Sequence, residues 1–134
     1  KAEKLNYATL LNKEDEPNHF IDLHRASWNI PVKVTPYFTL RKLQMDFSNP
    51  NNFTLDSGFD VIYFDAFAPE KQPEMWTQQV FDKLFEASNP EGLLTTYCAK
   101  GVVRRTMQGA GFEVEKLQGP PGKREMLRAK KPTL

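Results

Sequence analysis

The chain has 134 residues, 40% of them hydrophobic, which is enough for one compact domain and too few for two of ordinary size. Eighteen Lys and Arg stand against 17 Asp and Glu, so whole-chain charge argues for neither nucleic acid nor a membrane surface. No apolar run approaches a membrane span and no charged-then-apolar leader opens the sequence, while the single Cys98 excludes an internal disulfide framework; the expectation is a soluble, cytoplasmic chain.

In chain order, Leu5, Ala8, Leu10 and Leu11 recur at roughly helical spacing from Ala2, and the pattern dissolves in the charged run Lys13 to Glu16. A short helix with Asn18 as its N-cap is expected to run through Phe20, Ile21, Leu23 and His24 to Trp28, ended by Asn29 and Pro31. Imperfect alternation from Phe38 to Met45 reads as a strand closing at Asp46, and residues 49 to 52 form a turn. Phe59 to Phe64 is continuously apolar after Asp60, the pattern of a parallel strand buried on both faces, and stops abruptly at Asp65.

From Pro73, the spacing of Trp76, Val80, Phe81, Leu84 and Phe85 predicts a helix that Asn89, Pro90 and Gly92 break. Leu93 to Tyr97 reads as a second buried strand, and Gly101 opens a helix through Val102, Val103 and Met107, closed by Gly109-Ala110-Gly111. Phe112 to Leu117 alternates as a strand. The loop Gly119-Pro120-Pro121-Gly122 then turns the chain into a last strand near Glu125 to Ala129, antiparallel because so short a connection allows no crossover. Strand, helix, strand, helix, strand, strand implies a layered α/β domain with a mostly parallel sheet and a closing antiparallel hairpin.

Ligands of such sheets bind beyond the carboxyl ends of the parallel strands, where Asp65 falls. A carboxylate after an apolar strand is poorly explained by packing, although a cap for the following turn is the plain alternative. Asp65-Ala66-Phe67-Ala68-Pro69 joins an acceptor, an aromatic ring and a stiffened turn, a combination suited to gripping an amine. Asp65 is the candidate acceptor or base, and Phe67 either stacks on a substrate base or buries as a loop aromatic. Asp46 could accept from the amine of an adenine or merely cap the turn before Asn49-Pro50. His19, His24 and Cys98 lack partners at metal-ligand or nucleophile spacing, so no metal is expected.

Charge is unevenly spread. Between Lys100 and Lys131 nine Lys or Arg meet three Glu, and Lys123 and Arg124 follow the stiff Pro-Gly turn in an arrangement that suits phosphate contact or ordinary solvated surface.

Several motifs occur together in order: Lys4-Leu5-Asn6-Tyr7, the run from Asp60 to Pro69, Glu74-Met75-Trp76-Thr77, the run from Thr96 to Arg105, Ala110-Gly111-Phe112, and Gly119 to Met126. The chain thereby resembles the MnmC-like class I methyltransferases. The resemblance implies methyl transfer from S-adenosylmethionine to the aminomethyl group of wobble 5-aminomethyl-2-thiouridine in tRNA, on a Rossmann-like fold. It places Asp46, Phe47 and Asp65 at the cofactor and Phe67, Pro69, Tyr97, Lys123 and Arg124 at the substrate. Some members carry a fused flavin-dependent oxidoreductase that makes the amine, so such a module or partner is expected beside tRNA.

The sequence departs from the class in one respect. No strand precedes a Gly-x-Gly turn and helix, so the 134 residues are expected to be the C-terminal two-thirds of a methyltransferase domain that lacks its first two strands. Those strands belong between the strand ending at Asp46 and the strand ending at Asp65. Two other readings stay open at this point: a methyltransferase for a small-molecule or protein amine, and a non-catalytic RNA-binding fragment.

Overall fold

The computed structural model describes residues 1–10 and 18–133, so Leu11 and the charged run Lys13 to Glu16 lie outside the described residues. The chain divides into two compact units, Lys1–Met45 and Asp46–Leu134.

In the first unit, a 3-10 turn (Ala2–Lys4) and α1 (Tyr7–Leu10) precede α2 (His19–Arg25). Asn18 caps α2 as expected, its side chain accepting from the Ile21 N–H at 3.2 Å. The helix ends at Arg25, short of Trp28. The Lys42 ammonium donates to the Leu23 and His24 carbonyls at 3.1 Å each, satisfying orphan acceptors of that last turn. β1 (Pro31–Thr35) and β2 (Phe38–Arg41) form an antiparallel hairpin, a two-stranded sheet of their own. This corrects two expectations: the strand ends at Arg41 rather than Asp46, and it pairs with a strand that Pro31 had concealed. Proline is tolerated at a strand's first position, where a missing N–H costs the ladder little.

The second unit contains β3 (Phe59–Tyr63), a 3-10 turn (Pro73–Trp76), α3 (Gln78–Ala87), β4 (Ser88–Thr96), α4 (Gly101–Ala110), β5 (Glu113–Gln118) and β6 (Glu125–Lys130). Strand order is β3-β4-β6-β5. β3 runs parallel to β4, while β6 is antiparallel to both β4 and β5, so the sheet is mixed and the expected mostly parallel order is corrected. α3 supplies the crossover between the parallel neighbours β3 and β4, and α4 the one from β4 to β5, which run parallel on either side of β6. The expected closing hairpin is present.

α3 and α4 cover one face of this sheet. Val80, Phe81 and Leu84 of α3 and Val103 and Met107 of α4 meet Leu94, Leu127 and Ala129 from the strands, all at most 4% exposed. Thr77 caps α3 by accepting from Val80 N–H. α4 ends on Gly111 at φ +113, where a β-carbon would lie 2.9 Å from the Phe85 ring, so the helix stop needs glycine for both its backbone and the space.

β3 is not buried on both faces. Ile62 and Phe64 turn toward the helices, while Phe59, Val61 and Tyr63 are exposed, and among the described residues β4 is the strand that pairs with β3. A continuous apolar run states that both faces are apolar without stating what covers them.

Candidate active site at the ends of the parallel strands

The register sets Tyr63 beside Thr95, and the Phe64 N–H continues the pairing to the Thr95 carbonyl at 2.9 Å. Both strands therefore stop together, and Asp65, two residues past β3, and Tyr97, the residue after β4, leave the sheet at one edge. This is the edge at which crossover topology leaves a crevice.

Three clefts meet there, and Asp65 lines all of them. One of about 350 Å³ lies between Tyr63, Thr95, Thr96, Tyr97 and Met126. A second, about 460 Å³, is bordered by Ala66, Ala68, Trp76, Tyr97, Lys100 and Lys123. The third, about 230 Å³, is walled by Phe47, Ile62, Phe64, Met75 and Leu84. A carboxylate thus stands where an apolar cleft and a cation-edged cleft join.

The sequence-derived candidates separate into those that the fold gathers and those that it does not. Asp65, Phe47, Tyr97 and Lys123 each line at least one of these clefts. Phe47 is held by Phe53, its ring centroid 4.6 Å away. Phe67 projects outward, 75% exposed, and so is not a buried loop aromatic. Pro69 begins the turn in which Lys71 and Gln72 N–H donate to the Ala68 carbonyl at 2.8 and 3.0 Å. Arg124 is exposed in the β5–β6 loop, where its carbonyl accepts from Gly119 N–H.

Asp46 is absent from the lining of these clefts. Its Oδ1 accepts from the Ser48 hydroxyl at 2.6 Å and the Ser48 N–H at 2.9 Å, which is the turn-capping geometry. Those bonds, the hydroxyl's first, hold its carboxyl below the usual carboxylate range.

Most of the terminal basic excess is otherwise engaged. Lys116 pairs with Glu125 at 3.1 Å, Arg128 with Glu115 and Lys130 with Glu91. Lys131 donates to the Phe85 and Ser88 carbonyls, each at 2.8 Å, and closes the end of α3. Lys123 and Arg124 make no side-chain hydrogen bond or ion pair among the described residues.

Sequence reasoning missed Trp76, whose indole donates to the Phe67 carbonyl, and the ion pair between Glu70 and Lys100 that joins the loops after β3 and β4. Trp76 was legible only as an apolar helix position. Nothing in the spacing pairs Glu70 with Lys100, because their approach depends on how β3 and β4 align.

The model of the S-adenosyl-L-methionine-dependent methyltransferase family matches residues 31–132. The chain belongs to that family. That family is S-adenosyl-L-methionine-dependent, and the described residues fit that cofactor in part. The Phe47, Phe64 and Met75 wall beside the Asp65 carboxylate suits an adenine face and a sulfonium charge. No strand–Gly-x-Gly–helix unit is present among the described residues to receive the methionine end.

Among solved structures, MNMC2 from Aquifex aeolicus resembles this methyltransferase chain with a TM-score of 0.60 at 24% identity, over 70% of this chain and 32% of that one. The likeness is one of fold, and the chain spans about a third of that protein's length. Among the described residues no helix is long and apolar enough to cross a membrane, and no three His, Cys, Asp or Glu gather as a metal site.

Proposed function

We propose that this methyltransferase acts on an amine of tRNA, the aminomethyl group of wobble 5-aminomethyl-2-thiouridine, and that the three clefts at Asp65 are its active site. The observation that carries the reading is the convergence of Asp65, Tyr97 and Lys123 on one cleft beside an exposed Phe67. An amine must present an uncharged nitrogen to an electrophilic methyl, and an acceptor within reach takes its hydrogens as charge develops.

Asp65 is that acceptor in this reading. Phe67 offers a stacking face to an unpaired base, and Tyr97 borders the same cleft. Lys123 and Arg124 meet the phosphates and set register without reading sequence. S-adenosylmethionine, when bound, supplies the methyl group, with Phe47 and Asp65 among the residues that would hold it. Asp46 would contribute through its remaining oxygen, and Pro69 by stiffening the turn beyond Phe67.

The further reading of the domain is that 1–134 are the C-terminal part of a Rossmann-like methyltransferase whose other strands complete the cofactor site. It is supported by the exposed apolar face of β3 and by its having one paired neighbour among the described residues. A flavin-dependent oxidoreductase, fused or separate, would supply the amine.

The test is to incubate the complete protein with S-adenosylmethionine and tRNA bearing the aminomethyl nucleoside, then digest and identify nucleosides by mass spectrometry. The methylaminomethyl form should accumulate with the wild type and fall at least about a hundredfold with Asp65→Ala. Methylation of a free amine or of protein with tRNA left unmodified would sink the substrate assignment.

A further inference from the structure

The loop carrying Asp65 and Phe67 leaves β3 as irregular backbone, yet one of its atoms is held by the core. The Trp76 indole N–H donates to the Phe67 carbonyl at 2.8 Å. Trp76 is buried at 8% exposure, edge-on to Phe64 at 5.1 Å between centroids and 6.2 Å from Phe81, so core packing sets where that donor points. The ring of Phe67, by contrast, stands free in solvent. Fastening further along the loop comes from the Glu70–Lys100 ion pair, whose side chains are 60% and 48% exposed and which water screens.

We propose that Trp76 is a positioning residue for substrate: through its hydrogen bond to the Phe67 carbonyl it holds the exposed Phe67 ring at the angle needed to stack on the acceptor base. The proposal rests on the tRNA reading above. A free loop would sample many ring orientations and lose binding energy in ordering one of them, whereas a backbone atom tied to the core leaves only the side-chain torsions to be set. Trp76 also borders the cleft shared by Asp65 and Lys123, so the replacement that isolates the hydrogen bond is one that leaves the bicyclic shape of the side chain in place.

Two replacements in the complete protein separate this role from packing. Trp76→Phe keeps an aromatic ring and removes the donor, and benzothiophene in place of the Trp76 indole keeps the bicyclic shape and removes only the N–H. Without substrate, exchange at the Lys71 and Gln72 amides, which donate to the Ala68 carbonyl, should quicken about fivefold to tenfold in both variants while β4 amides stay unchanged. Unchanged loop exchange in the benzothiophene variant overturns the anchorage.

With substrate, KM for tRNA should rise about tenfold and kcat stay within about twofold, and the effect should vanish in a Phe67→Ala background. An equal loss with and without the Phe67 ring refutes action through Phe67. If the wild type leaves tRNA unmethylated, the functional reading falls, and the exchange arm alone still decides whether Trp76 holds the loop.

Discussion

Neutralising Lys123 and Arg124 together should change how tRNA binding responds to salt, and a matched change at Lys131 should not. Each phosphate contact contributes about 0.7 to 0.9 to the slope of log affinity against log salt. Two contacts removed should flatten the slope by about 1.5, so a fourfold rise in salt should cost the variant about eightfold less affinity than the wild type. Lys131 belongs to the same basic stretch but is bonded to the Phe85 and Ser88 carbonyls with its ammonium 4.6 Å from the Phe85 ring centroid. Lys131→Met should therefore lower stability by about 1 to 3 kcal/mol through the two stranded acceptors, and leave the slope unaltered. Fluorescence anisotropy of labelled tRNA across a salt series gives the slopes, and denaturant unfolding gives the stability. A flattened slope for Lys131→Met, or an unchanged one for the double variant, would refute this division of the basic tail into structural and binding cations.

Gly111→Ala should destabilise the protein by about 1 to 3 kcal/mol, since it strains a left-handed residue and drives a β-carbon to 2.9 Å from Phe85; a midpoint shift in urea measures it. Leu94→Ala, removing a fully buried side chain from β4, should cost about 2 to 5 kcal/mol, and a loss under about 1 kcal/mol would mean that the site collapses or that the core is not as described. Ser48→Ala should raise the titration midpoint of Asp46 toward the ordinary carboxylate value, observable by carbon-detected NMR. The sign follows from the lowered folded-state value: the contribution of Asp46 to stability is present above the unfolded value and is lost as pH falls through the folded one. A midpoint indifferent to the Ser48 hydroxyl would contradict the assigned cause.

What the sequence made legible was periodic or local. The Asn18 cap, the stripe of α3, the glycine stop of α4 and the β5–β6 hairpin all follow from neighbours within a few residues, where one interaction dominates. β1 escaped because Pro31 was weighed as a helix stop and not as a first strand residue. The extent of β4 escaped because Glu91, in a left-handed conformation at φ +67, and the bulge around it let a strand begin at Ser88 through residues that read as breakers. The mixed sheet order was hidden for a related reason. Alternating strands and helices specify parallel neighbours, yet a hairpin strand can insert beside β4, and β6 does so with Leu127 opposite Thr96.

At the site, a strand-end carboxylate and an aromatic loop were visible as chemistry, while their support was not, since Trp76 reaches Phe67 only after the 3-10 turn folds back under the loop. The same limit separates Lys123 from Lys131. Both are lysines of one basic stretch, and only the end of α3, brought beside the last strand by the fold, determines that one of them is a helix cap and the other stands at the cleft. A local charge excess therefore overstates a binding surface by however many of its cations find carbonyls or carboxylates in the folded chain, and the number left unpaired is the quantity that a salt slope reads.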